Sequence, residues 1–411
     1  MLRSMFSAVS GLRNHQMYMD VVGNNISNVN TTAFKAGRIT FQEMLSQLIR
    51  SGSAPEPQGR GGINPAQVGL GSMVGAIDTL HTQGAFQTTG QPTDLAIQGD
   101  GFFIVTDGTR HFYTRDGAFN IGPDGSVVSS ATGLKVMGWV ADQNGQLDPA
   151  GPLGVLSLPL GAGMVARATA EARIDGNLKA GVTDPVTLNM TVYDSLGHPH
   201  ELTVTFTRTG PDTWGWAVST TEAGVAVTGS GTLTFDADGK VQAGGTGTIQ
   251  VTYTPGALGY APQTPQDIAL SFTSLTQTAG NTNLTAETDG SSPGSFTTFS
   301  ITNNGEVYGI YSNGQRRLLG QIALARFVNP GGLMHAGSNL YDLSPNSGDP
   351  QVGAAGTGGR GEIISGVLEM SNVDLAREFT NLIMAERGFQ ANARVLTASD
   401  QLLQELANIK R

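Results

Sequence analysis

From its first residues the chain sets apolar side chains three and four positions apart. Leu2, Met5, Val9, Leu12, Gln16, Met19, Gly23 and Ile26 form one seam, interrupted only at Gln16 and Gly23. A period of 3.5 predicts a long amphipathic helix that packs on other helices. The far end repeats the stepping through Leu375, Phe379, Leu382, Glu386, Phe389, Ala393, Leu396, Asp400 and Leu403, with Leu402, Leu406 and Ile409 on an adjoining stripe. Ser371 or Asn372 suits the N-cap of this second helix, and Asp374 and Glu378 favour its first turns electrostatically.

From about residue 70 the period drops to two. In TLNMTVYDSLGHPHELTVTF, Leu188, Met190 and Val192 alternate with threonine and asparagine, and Leu202, Val204 and Phe206 with Thr203 and Thr205. One apolar face and one Thr-rich face predict a half-buried antiparallel hairpin. Asp-Gly or Asn-Gly steps at 100, 107, 116, 124, 144, 238, 304 and 313 are further hairpin signals. Pro/Gly-rich stretches at 51–69 and 350–361 separate this region from the helices, and patches at 148–163 and 280–294 bracket its middle.

The expected fold is therefore mixed α and β, with long terminal α-helices forming a coiled-coil-like inner domain and two nested antiparallel β-rich domains between them. The expected boundaries are 1–30 and 370–411 for the helical domain and 31–70 and 350–369 for linkers. An inner β domain takes 71–147 and 285–349, and an inserted outer one 148–284. Two helices held apart from the β body by linkers have little else to cover their stripes, which points to self-association.

GNNISNVNTTAFK (23–35) changes the picture at the first helix's end. Asn24, Asn25, Asn28, Asn30 and Thr32 compete for backbone hydrogen bonds and favour termination, while Phe34 offers an apolar anchor before Lys35. The run predicts a joint where the helix stops and an arm begins.

Composition narrows the function. Only 14% of the 411 residues are charged, against roughly 25% in an average globular protein, so the surface is neutral-polar or covered by other copies. A net charge of −10 argues against nucleic-acid binding, and the lack of cysteine excludes disulfides and thiolate metal sites. No stretch reaches the length of a membrane span, and MLRSMFSAVSGL has no continuous apolar core of a cleaved signal.

Candidate chemistry is thin. GLGSMVG (69–75) lacks the strand before it and the helix after it that a phosphate loop needs, and reads as a flexible segment leading into the first strand. Asp142, Asn144, Gln146 and Asp148 lack the glycine position and final Glu of a calcium loop. His198 and His200 sit too close on a strand or turn to chelate well, and Asp194, Ser195 and His198 crowd one turn where a hydrolytic triad is hard to build. No catalytic, cofactor or metal residues are expected.

MFSAVSGL, GNNISNVNTTAFKAGRITFQEML, LAIQGDGFFIV, YTRDGAFN and GVLEMSNVDLAREFTNLIMAERGFQANARVLTASDQLLQEL together resemble the bacterial flagellar rod–hook axial family. YDSLGHPHELTVTF and a chain near four hundred residues with an inserted β domain are similar to its hook-forming branch. Where that family usually carries Gly before Phe-Lys, this chain has Ala33. The resemblance implies a structural, non-enzymatic subunit of a helical polymer, exported without a cleaved signal through the flagellar type III apparatus. Its partners would be its own copies, rod proteins, and cap and hook–filament junction proteins. A straight rod subunit, or a secreted adhesin-like module with helical ends, is the alternative.

Overall fold

The computed structural model describes residues 2–52, 54, 61–142, 145–161, 163–164 and 166–409. They divide into two units: residues 1–158, 300–308 and 318–411 form the first, and 159–299 with 309–317 the second.

The first unit carries both terminal helices, Leu2–Ser27 and Leu375–Ile409. The second of these starts later than the cap expected at Ser371 or Asn372. Asp374 is the cap: its carboxylate accepts from Ala376 N at 2.9 Å and Arg377 N at 3.3 Å. Asn372 is unavailable because its amide is spent on Leu80 O and on Ala36 N, both at 2.8 Å.

The stretch expected as the first linker is largely folded. Strand Gly37–Glu43 pairs antiparallel with Ser72–Thr79, and Ser46–Arg50 with Ala66–Gly69, giving a long two-stranded ribbon. GLGSMVG lies in this ribbon, with no helix after it. Likewise 350–369 carries strands Gln351–Ala354, Glu362–Ser365 and Val367–Glu369.

The β body of this unit is built on strand Phe102–Thr106, which forms a hairpin with His111–Thr114 around Asp107-Gly108. The same strand pairs with Lys135–Val140 and with the C-terminal part of Arg316–Arg326. Phe102, Tyr113, Trp139, Phe327 and Tyr341 fill its core, with Tyr113 edge-on to Phe327 at 4.8 Å between centroids. Asp124-Gly125 and Asn304-Gly305 also turn chain back on itself as read. Asp100-Gly101 and Asp116-Gly117 do not make hairpins. A Cβ on Gly117 would lie 1.7 Å from Leu95 O, so this glycine permits a close strand approach. Asn144 lies outside the described residues.

The second unit packs a five-stranded sheet and a six-stranded sheet around one core. Its clearest element is the hairpin of Val186–Tyr193 with Pro199–Arg208, in a register that sets Met190 opposite Leu202 and Leu188 opposite Val204. Met190, Val192, Leu202, Val204 and Phe206 are buried. Trp216 joins them only because its neighbours lack side chains: a Cβ on Gly247 would sit 2.4 Å from its ring. The six-stranded sheet is mixed rather than antiparallel. Glu171–Lys179 runs parallel to Gln266–Ser271 and to Leu275–Thr278. Parallel neighbours need a long crossover, and here the intervening strands of the same unit supply it.

Candidate functional site

The two terminal helices run antiparallel without register slip. Ser4 Oγ meets Ser399 Oγ at 3.5 Å, and Asn25 Nδ2 donates to Glu378 Oε2 at 3.2 Å. Between these ends a Cβ on Gly11 would come within 2.7 Å of Asn392, and one on Gly388 within 2.4 Å of His15. Each step forward on one helix is matched by a step back on the other.

Every one of these contact residues stands one position before the apolar seam read from the sequence. One position is about 100° around a helix. The inner layer is thus small and polar, with Ala8, Val22 and Ala385 its buried apolar members. Small side chains let the helix backbones come close, and the larger apolar residues are turned aside. Met5, Val9, Leu12, Met19, Ile26, Leu382, Phe389, Leu396 and Leu403 are only partly covered. Leu375 is 40% exposed and Phe379 50%. The side chains of Leu2, Leu406 and Ile409 lie outside the described residues.

The Asn-rich stretch ends the first helix as its chemistry predicts. Ser27 Oγ and Asn28 Nδ2 both donate to Asn24 O at 2.9 Å, occupying an acceptor at the helix end. Asn24 and Asn30 stay exposed, and Phe34 is partly buried. Asn25 is buried and clasps Gly37 from both sides, accepting from its N at 2.9 Å and donating to its O at 2.8 Å. Thr32 O accepts from Asn339 Nδ2 at 2.8 Å. Ala33 takes φ 57°, a left-handed conformation, and donates its N–H to Glu369 O at 2.8 Å.

Beyond Ala33 the chain turns Lys35 into the protein, onto the Glu369 carboxylate. Lys35 Nζ is 2.6 Å from Glu369 Oε1 and Arg115 Nε is 3.0 Å from Oε2. Gly84 N donates to the same carboxylate at 2.9 Å, while Lys35 also bonds Thr82 O at 2.8 Å. Arg115 Nη1 donates to both Gly99 O at 2.7 Å and Gly101 O at 2.8 Å, the carbonyls that the Asp100-Gly101 turn presents to it. Burial alone would raise the Glu369 carboxyl, but Arg115, Lys35 and the Gly84 N–H outweigh it and hold its pKa below the usual range. Burial lowers the Lys35 pKa, more than Glu369 restores it.

Arg115 and Glu369 were not among the residues singled out from the sequence, and Asn372 was singled out only as a helix cap. The available signal was charge inside two otherwise apolar or Gly-rich blocks, Arg115 beside Asp116 in YTRDG and Glu369 alone in GVLEM, in a chain sparing of charge.

The HPHE cluster is structural. His200 is buried, with Nδ1 2.9 Å from Glu222 Oε2 and Nε2 3.5 Å from Asp194 Oδ2, and His198 stacks on Tyr260. Ser195 Oγ accepts from Gln263 N at 2.8 Å. Asp194 Oδ1 accepts from Leu196 N and His198 N at 2.9 Å, shaping the turn. No described helix is long and apolar enough to cross a membrane.

Four family models match separate parts of the chain. Residues 5–35 match "Flagella basal body rod protein" and 96–162 "Flagellar hook protein FlgE/F/G D1 domain". Residues 169–290 match "Flagellar basal body protein FlaE D2 domain" and 364–409 "Flagellar basal body rod FlgEFG protein C-terminal". The flagellar hook protein FlgE of Borreliella burgdorferi is 42% identical over 100% of both chains. The flagellar basal-body rod protein FlgG of Bacillus subtilis is 32% identical, also over 100% of both. Among solved structures, Helicobacter pylori flagellar hook protein FlgE2 matches with TM-score 0.55 at 13% identity, a likeness of fold over 69% of this chain and 100% of that one. The chain therefore belongs to the flagellar hook protein family, and it is a structural subunit of the hook, not an enzyme.

Proposed function

We propose that copies of this chain stack helically into a short curved tube, the flexible joint that connects the basal-body rod to the filament and passes motor torque through the bend. The observation that carries this reading is the apolar seam that the helix pair leaves only partly covered, with Leu375 and Phe379 exposed. A helix pair that spends small and polar residues on itself keeps Leu12, Phe379, Leu382 and Phe389 for neighbours. In the tube these helices form a coiled-coil-like inner wall, with Leu2, Met5, Val9, Met19, Ile26, Leu375, Leu396 and Leu403 in the same contacts. The β-rich domains, one nested within the other, build the outer shells.

Bending requires outer contacts that slide. Low charge content and threonine-faced strands such as Thr187, Thr191, Thr203 and Thr205 offer neutral polar surfaces with no deep apolar lock. The Asn24–Lys35 joint fixes the inner helix to the arm, so that sliding is confined to the outer shells. Partners beyond the chain's own copies would be rod proteins below, cap and junction proteins above, and the type III export apparatus, which passes the chain outward without a cleaved signal.

A straight, rigid rod segment is the second reading, favoured by full-length similarity to a rod protein. Negative-stain microscopy of the purified chain under polymerising conditions separates the two. Curved tubes are expected; straight rods would favour the second reading, and persistent small oligomers would refute both.

A further inference from the structure

The first unit carries an apolar groove of about 500 Å³ on the N-terminal helix, on the side turned away from its C-terminal partner. Phe6 and Val9 form one wall, and Met44, Leu70 and Met73 of the ribbon's base the other. The ribbon is fixed there by hydrogen bonds from Asn14 Nδ2 to Ser72 Oγ at 2.8 Å and from Ser72 N to Ser10 Oγ at 3.3 Å. Phe6 is 71% exposed, so the groove is open. Arg3 and Arg13 stand at its rim, and neither forms an ion pair among the described residues.

The chain's own C-terminal helix cannot enter this groove, because it is engaged on the opposite side through Gly11 and His15. That helix presents a ridge of its own, however. Leu375, Phe379 and Ile383 follow one another by four residues and point outward, and Glu386 continues the ridge. Among the described residues, the Glu386 carboxylate accepts only from Gln390 of its own helix. An apolar ridge ending in an unpaired acid complements an apolar groove rimmed by unpaired arginines.

We propose that the C-terminal helix of a second copy seats Phe379 and Ile383 in this groove, with Glu386 against Arg13. The contact joins two different patches, so it is heterologous: each copy offers one groove and one ridge, and the series stays open. This inference rests on the self-assembly reading and names the contact that propagates it.

The absence of cysteine gives a clean test. Copies carrying only Met73→Cys are mixed with copies carrying only Ile383→Cys, assembled into tubes and oxidised, so that any disulfide is between copies. Covalent dimers are expected. Replacing the second variant by Met384→Cys, one residue along and about 100° around the helix, is expected to lower the yield at least tenfold. In a second arm, Arg13→Glu should raise the concentration needed for tubes about fivefold, and adding Glu386→Arg should recover most of it. Tubes that form without the Met73–Ile383 dimer, or with equal yield from Met384, overturn the groove assignment and leave the tube standing. Failure of the unmodified chain to form tubes would strike the proposed function instead.

Discussion

Lys35 and Glu369, separated by 334 positions in sequence, stand 2.6 Å apart in a buried ion pair that Arg115 completes from the other side. The arrangement ties the strand after the first helix to the segment before the last one. One carboxylate serves two cations and a backbone N–H, so the three partners are not equivalent. Removing the carboxylate strands two buried cations. Removing Lys35 leaves a satisfied Arg115–Glu369 pair.

Glu369→Gln should therefore destabilise the first unit by about 3–5 kcal/mol, the usual cost of leaving buried charge unpaired, and Lys35→Met by clearly less. Urea denaturation of the two variants checks the order. Equal losses would mean that the carboxylate does not act as the hub.

Ala33 occupies a backbone conformation that costs an L-residue roughly 1–2 kcal/mol. The position also explains why a glycine there is usual in sequences of this family. Glycine relieves the strain but adds roughly 0.5–1 kcal/mol of unfolded-state freedom. Ala33→Gly is expected to be neutral or stabilising by up to about 1 kcal/mol, whereas Ala33→Val should destabilise. Thermal melts of both variants decide, and a marked loss with glycine would contradict the account.

Acid should loosen the same region through His81. Its ring lies edge-on to Phe102 at 5.7 Å and tilts on Tyr341 at 5.5 Å. Burial, and then the charges of Lys35, His335 and Arg115, lower its pKa to about 4. The unfolded chain takes up that proton near pH 6.5, so the unfolded state gains protons first as the solution is acidified. The contribution of neutral His81 is complete above pH 6.5 and is lost as pH falls towards 4, a total of about 3 kcal/mol. Glu369 adds to the loss at lower pH, from the ordinary carboxylate range, where the unfolded chain takes up its proton, down to its own depressed pKa, where the loss is complete. Urea midpoints at pH 7 and pH 4.5 should differ less in His81→Gln than in the parent chain; identical differences would remove His81 from the explanation.

How much of this was legible in the sequence depends on the range of the signal. The two helices are local periodicities and were readable, as was the hairpin centred on Asp194–His198. The apolar stripe of each helix was readable, but the face on which the two helices meet lies one residue earlier, on Ser4, Gly11, His15, Gly388 and Asn392. Gly11 and Gly388 carry no hydrophobic signal, although they are what lets the helices meet. The ribbon of 37–79 was hidden by the Pro/Gly-rich residues that interrupt it. Alternation along Glu171–Lys179 reports which side chains face the core and not which strand lies alongside, so its parallel partners were invisible. Lys35 was singled out, but nothing local joins it to Arg115 or Glu369.

The central claim is that the helix pair's incompletely covered apolar seam drives assembly. Removing residues 375–411 tests it most directly, because the Glu369 cluster and both β bodies remain encoded. The truncated chain, examined by circular dichroism and by electron microscopy under conditions that polymerise the full chain, should keep its β signal and stay monomeric. Tubes from the truncated chain would contradict the account.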